Sequence, residues 1–272
     1  MSWRALRITT SAGADSISSA LFEAGAQAVQ ETQDGIVTHF PPGADVEHIA
    51  AMIARIDPQA TVTIGDTPEL DPALLHGSVS VQRLGAITIA PPWDAAGIDE
   101  AGLVIIDPAM GFGTGEHPTT RGVIRLLQTV IEPGDTVADL GAGSAILSIA
   151  AAKLGAVRVF AIENDALAIG NAEENVIGNR TADRVTVIEG DAAALLPLVG
   201  PVSLVLANII SSILLQLMPV IHDGVRPGGH AILSGILRTE RKDILASAES
   251  AGFVSLNEDS EGEWWSVLLK RP

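Results

Sequence analysis

Apolar and polar positions change rhythm part-way along this chain of 272 residues. Over the first 65 residues, short alternating runs are separated by helical ones. Trp3–Thr10 reads as a strand, and Asp15–Ala24 as a helix that ends at Gly25. Ala28–Thr32 and Ile36–Phe40 read as a hairpin turning at Asp34-Gly35, a dipeptide suited to the backbone angles of tight hairpin turns. Val46–Ile56 sets Val46, Ile49, Ile53 and Ile56 on one helical face, and Thr61–Ile64 is a further strand. The order strand-helix-strand-strand-helix-strand predicts a small ferredoxin-like α+β domain over residues 1–65. That fold hosts many functions, so it specifies no chemistry.

Residues 66–102 are rich in Pro, Gly and Asp and hold two short strand-like runs, Val79–Arg83 and Ala86–Ile89; this stretch is expected to be a partly ordered linker. From residue 103 the pattern becomes regular strand-helix alternation. Strands are expected at Leu103–Ile106, Thr136–Leu140, Val157–Ile162, Val185–Ile188, Val202–Ala207 and His230–Leu233. Helices are expected at Thr119–Ile131, Ala145–Leu154, Ala166–Ile177, Ser212–Ile221 and Glu240–Ala251, with two closing runs at Phe253–Glu258 and Trp264–Leu269. Such alternation predicts an α/β domain over 103–272: a doubly wound, mostly parallel sheet with helices on both faces.

Charge and composition narrow the function classes. With 16 basic and 33 acidic residues the net charge is -17, which argues against a broad basic face for nucleic-acid phosphates and fits equally steering of a basic protein partner or plain solubility. There is no cysteine, so thiolate metal sites, disulfides and cysteine nucleophiles are excluded, and a cytoplasmic location is expected. The N-terminus does not read as a signal peptide. The most apolar stretch, Val202–Ile221, is broken by Asn208, Ser211, Ser212, Gln216 and Pro219; it reads as a buried strand and helix, not a membrane span. The sequence does not specify an oligomeric state.

The central chemical signal is Asp139-Leu140-Gly141-Ala142-Gly143-Ser144-Ala145-Ile146. A buried strand runs into a glycine turn and a helix opens at once, so backbone can approach a ligand and helix N–H groups point at it. Glu163, at the end of the next strand, is placed to accept hydrogen bonds from ribose hydroxyls. A dinucleotide fingerprint requires a small residue where Ile146 stands. Asp139 is awkward beside a pyrophosphate but suits a cationic sulfonium with an amino group. Asp-x-Gly-x-Gly is the pattern of methyltransferases that use S-adenosylmethionine. Asp191, after the following strand, is a candidate contact for the adenine amino group, or a helix cap. Asn208 ends the very apolar Val202–Ala207 run, where ligands of open parallel sheets bind; its amide can accept from an incoming amine, or cap a helix.

Ahead of the turn lies Asp107–Arg121, with Gly111, Gly113 and Gly115 at alternate positions and His117-Pro118-Thr119-Thr120 opening a helix. The loop is suited to closing over a cofactor, and no Lys-Ser/Thr pair follows to make it a phosphate loop. His117 fits a structural hydrogen-bonding role better than that of a base. The run Gly111-Phe112-Gly113-Thr114-Gly115-Glu116-His117-Pro118-Thr119-Thr120 resembles the signature of the PrmA family, methyltransferases of ribosomal protein L-eleven. The resemblance continues through Asp139–Lys153, Asn208-Ile209, Ser234-Gly235-Ile236-Leu237 and Trp264.

The resemblance implies methylation of lysine side chains and the N-terminal amine of that ribosomal protein, with the front domain docking the substrate. It places Thr120, Gly141, Glu163 and Asn208 at the cofactor. Asp139, Gly143, Asp191, Phe112 and Gly113 complete the candidate binding set, and Asn208 is the candidate catalytic residue; no metal is implied. The sequence departs from the family at Glu163 (usually Asp), Ala145 (usually Gly) and Glu116 (commonly Thr), and Leu75–Ala90 lacks the family's Trp-rich, Lys-bearing segment. Other readings stay open: a methyltransferase of this build acting on another protein or a small molecule, a nicotinamide-dependent oxidoreductase, or an inactive nucleoside-binding module.

Overall fold

The computed structural model describes all residues except 1–3, 11–16, 18–19, 22–23, 27, 33–34, 41–42, 67–79 and 108–114. The chain forms two compact units, Met1–Leu75 and His76–Pro272.

The first unit is a four-stranded antiparallel sheet of β1 (Arg4–Thr9), β2 (Ala28–Thr32), β3 (Gly35–Phe40) and β4 (Thr61–Asp66), in the order β2-β3-β1-β4. Ile17, Ala20 and Leu21 are helical; the rest of the helix expected at Asp15–Ala24 lies largely outside the described residues. Thr32 stands opposite Gly35 in the β2–β3 hairpin, whose turn residues also lie outside them. Helix α1 (Val46–Ile56) is capped by Asp45, whose carboxylate accepts from His48 N at 2.9 Å. The helical period brings Val46, Ile49 and Ile53 inward, where they meet Leu6, Ile8, Ile36 and Phe40 from alternate strand positions. Ile56 of the same expected face is instead partly exposed, at the helix end.

The second unit carries a seven-stranded sheet of β8 (Thr136–Leu140), β9 (Arg158–Glu163), β10 (Val185–Glu189), β11 (Val202–Asn208), β12 (Val225–Leu237), β13 (Val254–Glu261) and β14 (Trp264–Lys270). Its order is β10-β9-β8-β11-β12-β14-β13. The first five in that order run parallel, and β14 runs antiparallel to both of its neighbours, β12 and β13. From β8 the chain winds one way through β9 and β10, then crosses to β11 on the other side. The gap between the carboxyl ends of β8 and β11 is therefore the topological switch point, where such sheets bind ligands.

Helices α2 (Pro118–Leu127), α3 (Ile146–Lys153), α4 (Ala166–Gly178), α5 (Ala192–Val199), α6 (Ser211–Gly224) and α7 (Arg241–Ala251) accompany the sheet. The β11 strand is buried along nearly its whole length, as expected for a strand covered on both faces. Helix α5 is absent from the reading of the sequence; its polar positions are too few to give an amphipathic period, and Pro197 lies inside it. Among the described residues, no helix is long and apolar enough to cross a membrane.

The stretch expected to be a linker carries structure from residue 80 onward. β5 (Gln82–Leu84) pairs antiparallel with β6 (Ile87–Ala90), and β6 pairs parallel with β7 (Leu103–Ile105). Leu84, Ile87 and Ile89 are buried in one cluster with Val104, Val123, Ile124, Ile146 and Ile149. Burying side chains of this size contributes about 1.5–3 kcal/mol each, so these strands belong energetically to the second unit.

Candidate functional site

The site is assembled where β8 meets α3. Gly141, Gly143 and Ala145 all have left-handed backbone, with φ of 69°, 53° and 62°. Glycine adopts that conformation freely; a non-glycine residue there costs roughly 1–2 kcal/mol. Ala145 is wholly buried in this conformation. The turn is held from below, since Gly141 N and Ala142 N both donate to Ile162 O, at 2.9 and 3.1 Å. Helix α3 starts at Ile146 with Ala145 as its N-cap, and that cap makes no side-chain hydrogen bond.

Glu163 ends β9 at 7% exposure. One carboxylate oxygen accepts from Gly143 N at 2.8 Å, and the other from Asn164 N and Asp165 N at 2.8 and 2.9 Å. The carboxylate thus fastens the glycine turn to the neighbouring strand. A carboxylate has about four acceptor positions, so three backbone donors leave room for one hydroxyl.

Asp139, inside β8, is completely buried. Ser148 Oγ donates to its Oδ2 at 2.7 Å, while Oδ1 has no partner within the protein. Burial pushes this carboxyl up to about 7, opposed by the Ser148 hydrogen bonds and aided by the Glu163 charge.

Asn208 closes β11, in register with Ser234 of β12 and one position past the Ala207–Leu140 pair. Its Oδ1 is inaccessible and unpartnered. The backbone N–H of Ile209 donates to Ser234 O at 3.2 Å. Gly235, at φ 80°, lies so close that a Cβ there would stand 2.4 Å from Ile209 O. Thr120, in the first turn of α2, is also wholly buried with an unpartnered Oγ1. Its neighbour Thr119 accepts from Ser234 Oγ at 3.2 Å, which pins this helix end over β12 and next to Asn208.

The remaining candidates fall in different places. Asp191 is exposed and caps α5, its Oδ1 accepting from Ala193 N and Ala194 N at 2.7 and 3.1 Å. His117 is the N-cap of α2, its Nδ1 lies 2.7 Å from Thr119 Oγ1, and its ring meets Trp264 edge-on at 4.7 Å between centroids. Burial, with the charge of Arg121, lowers its pKa. These contacts give it the structural role expected of it. Phe112 and Gly113 lie outside the described residues.

Asn175 of α4 and Asn179, the C-cap of that helix, escape a reading of the sequence. Asn179 accepts from Ile105 N at 2.7 Å and donates to Ile105 O at 2.6 Å, so its amide pairs with β7 as a strand would. Asn175 accepts from Asp107 N at 3.2 Å and donates to Ser144 O at 3.1 Å. It ties the start of the glycine-rich segment to the glycine turn. The available signal was two amides one helical turn apart on a face that is otherwise apolar.

Similarity to known proteins follows the same geometry. The family profile described as "Ribosomal protein L11 methyltransferase (PrmA)" matches residues 80–272. A ribosomal protein L11 methyltransferase of Bacillus cytotoxicus is 35% identical over 312 aligned positions, covering 99% of this chain and 99% of that one. One of Chloroflexus aurantiacus is 38% identical over 192 residues, covering 62% of this chain and 58% of that one, less than two thirds of its length. A crystal structure described as a ribosomal protein L11 methylase, from Lactobacillus delbrueckii subsp. bulgaricus, matches with a TM-score of 0.63 and 31% identity, over 70% of this chain and 98% of that one.

Proposed function

This chain belongs to the ribosomal protein L11 methyltransferase (PrmA) family, and from that premise we propose that it transfers methyl groups from S-adenosylmethionine to lysine side chains and the N-terminal amine of that ribosomal protein. The observation that carries the reading is the set of three buried polar atoms without protein partners, Thr120 Oγ1, Asp139 Oδ1 and Asn208 Oδ1. All three belong to segments that meet at the switch point. Buried polar groups are otherwise paired almost without exception, and an unpaired one costs about 1–3 kcal/mol.

The residues present fit the cofactor. Gly141 and Gly143 offer close backbone approach, Glu163 an acceptor for a ribose hydroxyl, Asp139 an acceptor for an ammonium, and Thr120 a hydroxyl. When bound, S-adenosylmethionine supplies an electrophilic methyl on a sulfonium, so alignment is most of what the protein adds. Asn208 accepts a hydrogen bond from the incoming amine and turns its lone pair toward the methyl carbon. With the donor bound, the methyl would pass from sulfur to the amine nitrogen, the C–S electron pair would stay on sulfur and the surplus proton would go to water, while Asn208 would hold the nitrogen in line. A free lysine has a pKa of about 10.4, so the amine must shed a proton before it attacks, and an apolar surround favours that.

Residues 1–65 act as the docking unit for the protein substrate in this reading, and the net charge of -17 favours approach of a basic partner. The substrate is the ribosomal protein free of, or before assembly into, the ribosome, in the cytoplasm and without direct contact to nucleic acid. Purified protein incubated with labelled S-adenosylmethionine and the ribosomal protein is expected to label lysines and the N-terminus. Intact cofactor binding without any label on that protein rejects the substrate assignment.

A further inference from the structure

Folding does not account for the apolar surface beside Asn208. Ile210 is 61% exposed and Ile213 43% exposed. They stand three residues apart at the start of α6, Ile210 at the cap and Ile213 in the first turn, which makes them neighbours on its surface. Ile210 is the N-cap of that helix and supplies no side-chain cap, a position where Ser, Thr, Asn or Asp stabilises and Ile does not. Elsewhere in the same sheet, Asp165 and Asp191 cap α4 and α5 in the expected way. At Ile210 the chain thus keeps a poor cap and an exposed apolar side chain together. Such breaches of local rules concentrate at functional sites.

The position is continuous with the glycine turn. Ile209 Cγ2 lies 2.5 Å from where a Cβ on Gly141 would stand. The run Asn208-Ile209-Ile210 therefore leads from the turn out to the exposed rim of the sheet.

We propose that Ile210 and Ile213 form an apolar lip that grips the methylene stem of the acceptor lysine as its amine is presented to Asn208. The proposal rests on the amine-methylation reading and adds which part of the substrate is gripped. A lysine brings four methylenes and an amine that is charged at neutral pH, with a reference pKa of about 10.4. Contact with an apolar surface buries the stem and disfavours the charged form. An N-terminal α-amine, with a reference pKa of about 7.7–8.0, has no stem and needs far less help to become neutral. The lip therefore serves lysine sites selectively.

The test compares wild type with Ile210→Ser, Ile213→Asn and Ile210→Leu on the purified ribosomal protein, scoring lysines and N-terminus separately by mass spectrometry. Calorimetry with S-adenosylhomocysteine and thermal melts run alongside. Ile210→Ser and Ile213→Asn are expected to lose about tenfold in kcat/KM at lysines, the effect of removing one or two buried methylenes, and less than about twofold at the α-amine. Ile210→Leu keeps the lysine rate. Ile210→Ser also keeps or raises Tm, because serine caps the helix, and its residual lysine rate rises to higher pH than that of wild type. Wild-type lysine rates in both polar variants, or equal losses at lysine and α-amine, overturn the lip. A wild-type protein that binds S-adenosylhomocysteine yet methylates no amine overturns the underlying reading instead, and the lip with it.

Discussion

On the β9 side of the glycine turn, both oxygens of the Glu163 carboxylate accept backbone N–H groups. On the β8–β11 side, Asp139 Oδ1, Asn208 Oδ1 and Thr120 Oγ1 are buried and have no partner within the protein. The first flank is fastened in the free chain and works mainly as scaffold, with one acceptor position of Glu163 left over for a hydroxyl. The second carries polar groups that only a ligand satisfies, and each weakens the free fold. In the proposed reading, the first flank chiefly positions the turn while the second waits for the ligand, and the two are expected to respond differently to substitution.

The largest expected effect lies on the unsatisfied flank. Asn208→Ala lowers kcat by about a hundredfold, the scale of a misaligned attacking group, with little change in cofactor affinity. Steady-state kinetics on the ribosomal protein check this, and an unchanged kcat removes Asn208 from the reaction. On the scaffold flank, Glu163→Ala frees the turn and destabilises the protein by about 2 kcal/mol even without ligand, the range for hydrogen bonds to a charged group. Urea unfolding of the free protein measures it; a neutral result there breaks the comparison.

Next in size is a pH effect at Asp139, whose carboxyl is raised to about 7. Between about pH 4 and 7 the folded chain holds a proton that the unfolded chain has released, so stability of the free protein falls as pH rises through that window. Binding of a cationic cofactor favours the ionised carboxylate. Affinity for S-adenosylmethionine therefore rises about tenfold from pH 6 to pH 8, and Asp139→Asn flattens both trends. Titrations and melts across that range decide it; identical pH trends in wild type and variant contradict it. The smallest effect is at Thr120. Thr120→Val keeps the shape and removes an unsatisfied hydroxyl, so the free protein is unchanged or more stable by less than about 1 kcal/mol, while cofactor affinity drops. Loss of stability there places Thr120 with the scaffold.

Much of this site was legible because it is local in sequence. The Asp139–Gly143 turn, Glu163 at the next strand end and Asn208 at the edge of β11 each announce themselves by residue type against an apolar background. Strand-helix alternation likewise gave the parallel sheet, since buried strands and amphipathic helices differ in period. What stayed hidden depends on long-range pairing. The bonds from Asn175 and Asn179 to Asp107, Ser144 and Ile105 join residues far apart in the chain. Residues 66–102 read as a partly ordered linker with strand-like runs at Val79–Arg83 and Ala86–Ile89; the packing is what stayed hidden, since Ile87 and Ile89 complete a core whose other half lies on α2 and α3. The Asp191 side chain caps a helix that the sequence did not reveal, because Ala192–Val199 lacks polar spacing. Ala145 conceals its left-handed backbone behind an ordinary residue name.

A crystal structure with S-adenosylhomocysteine tests the central claim most directly. The account predicts the nucleoside across Gly141–Gly143, with ligand polar atoms about 3 Å from Asp139 Oδ1 and Thr120 Oγ1. A ligand bound elsewhere, with that turn bare and both atoms still unpartnered, contradicts it.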